Sequence, residues 1–110
     1  MSSEDRRNTV RHCTWFPVQV DAEGGNVLAT AREVSERGIL LATRRRIRPG
    51  QAVRLALHFD PGMQQPRELQ GRIVRTLRNA GDPAALWSYK LAIEFQDPDP
   101  ELVAMVFDDA

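Results

Sequence analysis

The residues best equipped to bind a ligand lie in two short stretches of the sequence. Arg6, Arg7 and Arg11 lie near its start, and Arg7 and Arg11 form an R-x-x-x-R pattern. A guanidinium group is a planar fork that can donate two parallel hydrogen bonds, and both a phosphate and the O6/N7 edge of guanine accept such a pair. The second stretch runs from Glu33 to Gly38 and reads E-V-S-E-R-G. It offers a carboxylate and a hydroxyl at the point where a predicted strand meets a turn.

Two segments alternate apolar and polar residues, which is typical of half-buried strands. The apolar positions are Val53, Leu55, Leu57 and Phe59 in the first segment, and Trp87, Tyr89, Leu91, Ile93 and Phe95 in the second. Four further strands are predicted over residues 15–20, 27–34, 39–43 and 69–77. The last of these carries Arg72, Arg75 and Arg78 out to the surface. We predict that Trp15 and Trp87 pack in the core.

Clusters of turn-forming residues separate these strands, at 24–26, 35–38, 48–50, 60–62 and 79–83. Short strands joined by such turns, with no helix between them, predict an antiparallel all-β barrel or sandwich. The tail differs, because Asp99 fits an N-cap and Pro100 the first position of a short helix. So short a helix would be marginal alone, and we expect it to dock on the barrel. The predicted organisation is a flexible basic arm (1–11), a barrel (12–96) and a C-terminal helix or tail (97–110).

These features together resemble the PilZ domain family. The resemblance rests on the arm motif, on the turn motif (close to D/N-x-S-x-x-G), on the strand ending in Arg-Pro-Gly, and on their order along nearly the whole chain. It implies a stand-alone PilZ-type barrel of six to seven antiparallel strands with a short C-terminal helix. It also implies cyclic di-GMP, a bacterial second messenger, as the ligand, and a downstream protein as the recipient of the signal.

The resemblance assigns the arm arginines to this ligand. Arg7 and Arg11 would each hold a guanine edge or a phosphate, and a mobile arm would let them close over the ligand. Arg6, which flanks the motif, is a candidate for binding a second ligand molecule. The number of ligand molecules bound is left open by the sequence.

The turn motif would supply the complementary contacts. The N1–H and N2–H2 edge of guanine is a pair of donors, which the Glu33 carboxylate can accept. Ser35 adds a hydroxyl, and Gly38 is expected to permit a positive φ and a close backbone approach. The family usually has Asp or Asn where this chain has Glu33, and often Gly where it has Ala92. We expect the longer Glu to displace the contact or shift the loop, and the Ala to affect only packing.

Charge and composition argue against other classes of function. Residues 1–55 hold ten Arg and six acids, and residues 56–110 hold five basic residues and nine acids, so a net charge of zero is unevenly spread. A long nucleic acid usually selects an overall basic chain, so a small anionic ligand fits better. No apolar run approaches the ~20 residues of a membrane helix, and the polar start is unlike a secretory signal, so we expect a cytoplasmic protein without membrane insertion.

Catalysis and a bound metal are not expected. His12 and Cys13 are adjacent, and neighbours in a strand point to opposite faces, so they cannot form a catalytic dyad there. Nucleophile elbows, phosphate-cradling Gly loops and metal-ligand spacings are absent from the sequence. A single Cys cannot form an internal disulfide or a Cys-based metal cluster. We therefore predict neither enzymatic activity nor a cofactor.

Two alternatives to a receptor stay open. A degenerate PilZ module would keep the barrel, lose the nucleotide and work as a protein-interaction adaptor, and Glu33 is the main support for that alternative. A barrel that binds single-stranded nucleic acid would need basic and aromatic residues interleaved on one sheet face, for which Arg72, Arg75 and Trp87 are the only indication.

Overall fold

Six strands and one short helix make up the described part of the protein. The structure, a computed structural model, describes residues 12–60, 62, 65–78 and 87–107. The strands are β1 (His12–Ala22), β2 (Gly25–Val34), β3 (Gly38–Thr43), β4 (Ala52–Leu57), β5 (Arg67–Arg78) and β6 (Tyr89–Phe95), and the helix is α1 (Leu102–Phe107). The predicted arm, with Arg6, Arg7 and Arg11, and the predicted turn at 79–83 lie outside the described residues.

The strands close into an antiparallel barrel in the order β1-β2-β3-β6-β5-β4. Four of the six pairings join strands that are consecutive in the chain, while β1 pairs with β4 and β3 with β6 across longer separations. Closure leaves no edge unpaired among the six described strands, which removes the usual template for edge-to-edge association. The predicted all-β barrel of six to seven antiparallel strands with a short C-terminal helix is confirmed, with six strands in the described residues.

The core is formed by the inward-facing residues of all six strands. Its largest fully buried side chains on the strands are Leu41, Leu55, Leu57, Ile73, Leu91, Val18, Val20 and Val34. Two further apolar residues come from outside the strands. Ile47, in the β3–β4 connection, and Leu102, in α1, are both buried against the same cluster. These two residues bring a loop and the helix into a single hydrophobic core.

Tight turns lie where the sequence predicted them in the described chain. Asp21 pairs with Asn26 and Ala22 with Gly25, so the β1–β2 hairpin closes through two residues, and Gly24 has a φ of 96°. Gly50 has a φ of 91° in the β3–β4 connection. A side chain is strained at such angles, so Gly is the natural residue at both positions.

The predictions for the two tryptophans were wrong in different ways. Trp15 is 71% exposed. Because side chains alternate along a strand, burial of Phe16, Val18 and Val20 forces Trp15 to the outside of the barrel. Trp87 is only half buried and precedes β6, so it does not belong to the fully buried set on that strand.

The C-terminal helix forms, but it begins at Leu102 and not at Pro100 as predicted. Residues 100 and 101 form the turn that precedes it. The Asp99 side chain, predicted as an N-cap, accepts two hydrogen bonds from Arg67. No helix among the described residues is long and apolar enough to cross a membrane.

Candidate functional site

The turn between β2 and β3 is shaped by Ser35. Its hydroxyl oxygen accepts hydrogen bonds from the backbone N–H of Gly38 at 3.2 Å and of Arg37 at 3.3 Å, and it lies 3.3 Å from the Gly38 carbonyl, to which it can donate. The Ser35 N–H donates to the same carbonyl at 2.9 Å. Ser35 is 8% exposed, so the hydroxyl predicted to face a ligand is used mainly to hold the turn.

The observed role of Gly38 differs from the predicted one. Its φ is not positive, so that expectation was wrong. The close approach seen here is to β6, because a Cβ atom at this position would lie 2.4 Å from the Ile93 carbonyl oxygen. Gly38 opens β3 opposite Glu94 of β6, and the missing side chain lets the two strands come together at the end of the turn.

The end of β6 and the segment after it hold this turn in place. The N–H of Phe95 donates to the Arg37 carbonyl at 2.8 Å, and the N–H of Asp99 donates to the Glu36 carbonyl at 2.7 Å. Asp99 is itself fixed, because its Oδ2 accepts hydrogen bonds from Arg67 Nε at 3.0 Å and Nη2 at 2.8 Å. The backbone of the turn is therefore held in place before any ligand arrives.

A row of side chains crosses four strands next to the turn. Glu33 of β2 pairs with Leu40 of β3, Leu40 with Ala92 of β6, and Ala92 with Arg75 of β5. Residues in register point to the same face of a sheet. Neighbouring strands lie ~4.8 Å apart, so the three steps of this row span about 14 Å along the barrel surface.

This row forms the floor of a groove on the outside of the barrel, with a volume of about 460 Å³. The groove mixes charged and apolar groups. Its cationic residues are Arg37, Arg75 and Lys90, its carboxylates are Glu33 and Glu94, and its outward apolar residues include Leu40, Val74, Leu77 and Ala92. Such a lining suits a ligand that carries negative charge and flat apolar faces, as a nucleotide does.

Irregularities in strand pairing adjoin this row. The register shifts between Cys13 and Phe16 on β1, between Ala31 and Glu33 on β2, and between Ile73 and Arg75 on β5. Each shift ends at a residue of the row or at the β1 partner of Glu33. Bulges redirect side chains and are common beside binding sites, so their position favours this face of the barrel as the functional one.

The structure brings together part of the predicted site. Glu33, Ser35 and Gly38 all line the groove, whereas the three arm arginines lie outside the described residues. Ala92 was expected to affect only packing, yet it lies in the groove floor between Leu40 and Arg75, where its methyl group would face a ligand.

Sequence reasoning missed half of the groove lining. Arg37 was noted only as a turn residue, Arg75 only as a surface residue that hinted at nucleic-acid binding, and Leu40, Val74 and Lys90 were given no ligand-binding role. Alternation along β6 was enough to predict that Lys90 faces outward, whereas β3 is apolar on both faces and did not distinguish Leu40 from its neighbours. Nothing in that alternation indicated which outward faces lie side by side, because this depends on the pairing of β3 with β6.

Comparison with known proteins agrees with this architecture. The family model described as PilZ domain matches residues 5–108, which include the three arm arginines, the turn and all the described strands. The chain belongs to the PilZ domain family. Membership implies a role as a cyclic di-GMP receptor or adaptor, and PilZ domains are binding rather than catalytic modules.

A solved structure supports the same fold. The chain is similar to the Bacillus subtilis Inhibitor of motility (MotI/DgrA), with a TM-score of 0.66 and 19% sequence identity. The match covers 94% of this chain and 48% of that protein, so this PilZ domain spans about half the length of that relative. No curated protein matches the sequence.

Proposed function

We propose that this PilZ domain binds cyclic di-GMP in the groove beside the Glu33–Gly38 turn and passes the signal to a protein partner in the cytoplasm. One observation carries the proposal. The turn motif of a cyclic di-GMP receptor family lies at one side of an outer groove that contains both carboxylates and cations. The carboxylate can accept from the donor edge of guanine, and the cations can pair with phosphate.

The path of the chain supports a role for the arm. His12 pairs with Val34 and Cys13 with Glu33, so β1 begins directly beside the turn motif. Arg11 is covalently joined to His12, and consecutive Cα atoms are ~3.8 Å apart. The arm therefore joins the barrel beside the turn motif, as clamping of a ligand by Arg11 would require.

Glu33 is the position where the affinity is decided. It is half buried at the edge of the groove and replaces the Asp or Asn usual in the family. A Glu carboxylate stands one methylene farther from the backbone than an Asp carboxylate. It therefore meets the guanine edge farther out over the groove, and the ligand must bind slightly higher above Leu40 than it would above an Asp site.

Titration calorimetry with cyclic di-GMP tests the proposal. We expect the wild type to bind with micromolar or tighter affinity, and Arg11→Ala to bind about tenfold more weakly or worse, because a charge-assisted contact is lost. Arg54→Ala is the matched control, since Arg54 is exposed on β4 away from the groove. Absence of heat with the wild type would refute the receptor role, and unchanged affinity in Arg11→Ala would exclude the arm as the clamp.

A companion variant separates the effect of the longer side chain. We include Glu33→Asp in the same titration, because it restores the family residue without changing the charge. Tighter binding by this variant would mean that Glu33 is a handicap, and weaker binding would mean that the groove is fitted to Glu.

An adaptor that binds no nucleotide is the second candidate. The observation that favours it is the exposed apolar surface at one side of the groove, where Val74 is 55% and Leu77 is 46% exposed. Exposed apolar residues next to one another are typical of protein-contact surfaces. A wild type that is folded but silent in calorimetry would favour this function over the receptor.

A further inference from the structure

The side of the groove formed by β5 and β6 has no role in the family motifs. We call it the β5 wall, and it consists of Val74, Arg75, Leu77 and Lys90. It faces the Glu33–Gly38 turn across Leu40 and Ala92. Because Leu77 pairs with Lys90 and Arg75 with Ala92, its residues occupy adjoining positions on one face.

A β-bulge builds this wall. Ile73 pairs with Ile93 and Arg75 with Ala92, so Val74 is an extra residue without a partner of its own on β6. In a regular strand Val74 and Arg75 would point to opposite faces. Here both are exposed and both line the groove, because the extra residue shifts the alternation. The bulge thus places an isopropyl group and a guanidinium group side by side on the outer surface.

The two cations of the wall are available to an anion. Among the described residues, neither Arg75 nor Lys90 forms an ion pair. By contrast, Arg67, lower on β5, is paired with Asp99 at 2.8 Å. Two cations beside exposed methyl groups match a phosphate attached to a purine, since the phosphate takes the charge and the base packs its flat face on the apolar groups.

We propose that the β5 wall is a second subsite of the groove, which binds one guanine–phosphate unit of cyclic di-GMP while the Glu33–Gly38 turn binds the other. The proposal rests on the proposed function. Its physical basis is the breadth of the groove, because about 14 Å between the Glu33 and Arg75 positions exceeds what a single nucleotide base covers. In this arrangement Arg75 binds phosphate, Lys90 adds long-range attraction, and Val74 and Leu77 contact the base.

Calorimetry on the full chain, with cyclic di-GMP as the probe, tests the second subsite. We expect Arg75→Gln to weaken binding about tenfold or more, because it removes a charge-assisted contact with the ligand. Arg54→Gln is the matched control and should bind as the wild type does. Arg75→Lys should recover part of the lost affinity, since a point charge still attracts phosphate but cannot form the paired hydrogen bonds.

The salt dependence of binding separates a phosphate contact from a merely structural effect. Each phosphate neutralised by a cation steepens the fall of affinity with salt. We therefore expect Arg75→Gln to show a shallower slope of log affinity against log salt concentration than the wild type, at an unchanged melting temperature. Equal affinity and equal slope in Arg75→Gln, with a wild type that binds, would overturn the second subsite alone. A wild type that does not bind would overturn both proposals.

Discussion

At Gly38 the absence of a side chain allows β3 and β6 to meet at the edge of the groove. The nearest obstacle to a Cβ atom is the Ile93 carbonyl oxygen at 2.4 Å. That oxygen is part of the backbone and cannot rotate away as a side chain would. A residue larger than Gly must therefore push β3 away from β6 or shift the turn that Ser35 holds.

Replacement of Gly38 by Ala should therefore destabilise the fold. We expect a loss of about 1–3 kcal/mol in the free energy of unfolding, which is typical of forcing extra atoms into a packed site. Thermal denaturation followed by circular dichroism measures it. Gly62→Ala is the control, because its nearest contact is a flexible carboxylate at 3.4 Å, and its effect should stay within about 0.5 kcal/mol. Equal melting temperatures for the two variants would contradict the steric role of Gly38.

Single residues also show where sequence reasoning succeeds and where it fails. Trp15 and Phe16 are adjacent and both apolar, and only one can face the core. The phase set by Val18 and Val20 selects Phe16, so the exposure of Trp15 was contained in the pattern. The direction of the Ser35 hydroxyl could not be predicted in this way. The same E-x-S-x-x-G sequence is compatible with a hydroxyl that faces a ligand and with one that accepts hydrogen bonds from its own turn, as observed here.

Among the elements, the strands were predictable but their bulges were not recognised. Arg72 and Arg75 are three residues apart, so in a regular strand they would face opposite sides of the sheet. Both are exposed, and this requires the extra residue that the structure places at Val74. The odd spacing of exposed-type residues was thus a usable signal. The pairing of β3 with β6, which forms the groove, depends on barrel closure and could not be predicted from the sequence of either strand.

The segment leading into α1 is the element most closely linked to the site. Asp99 is buried at 6% exposure, its N–H donates to the Glu33–Gly38 turn, and its carboxylate accepts from Arg67, whose side chain is 33% exposed. Removing one partner of an ion pair is most destabilising when the other charge is left buried and unpaired. Here Arg67 can reach water, so the cost of losing Asp99 should be moderate.

We therefore predict that Asp99→Ala lowers the free energy of unfolding by about 1–3 kcal/mol, because charged hydrogen bonds to a buried group are lost. Urea denaturation measures the change. Asp97→Ala, at an exposed position two residues earlier, should stay within about 0.5 kcal/mol. If both variants unfold at the same urea concentration, the Arg67–Asp99 pair does not contribute to stability.

At the scale of the whole molecule, the described residues are organised around one closed sheet and one core. The pairing of β1 with β4 and of β3 with β6 brings together residues far apart in the chain. The barrel therefore closes only when strands that are distant in the sequence pair with each other. The loop residue Ile47 and the helix residue Leu102 belong to the same cluster as the strands. A fold with this topology should unfold in a single cooperative step, and the helix should unfold with the barrel.

Leu102→Ala tests whether the helix and the barrel unfold together. Leu102 has 0% exposure in a six-residue helix, so its truncation should leave a cavity in the shared core and cost about 2–5 kcal/mol. In guanidinium denaturation we expect tryptophan fluorescence and far-UV circular dichroism to give the same, lower midpoint. Met105→Ala is the control, because Met105 is 40% exposed on the same helix and should have a much smaller effect. If the guanidinium midpoint of the barrel were unchanged in Leu102→Ala, α1 would not contribute to the stability of the barrel. The hydrogen bond from Asp99 to the Glu33–Gly38 turn would then be independent of the helix.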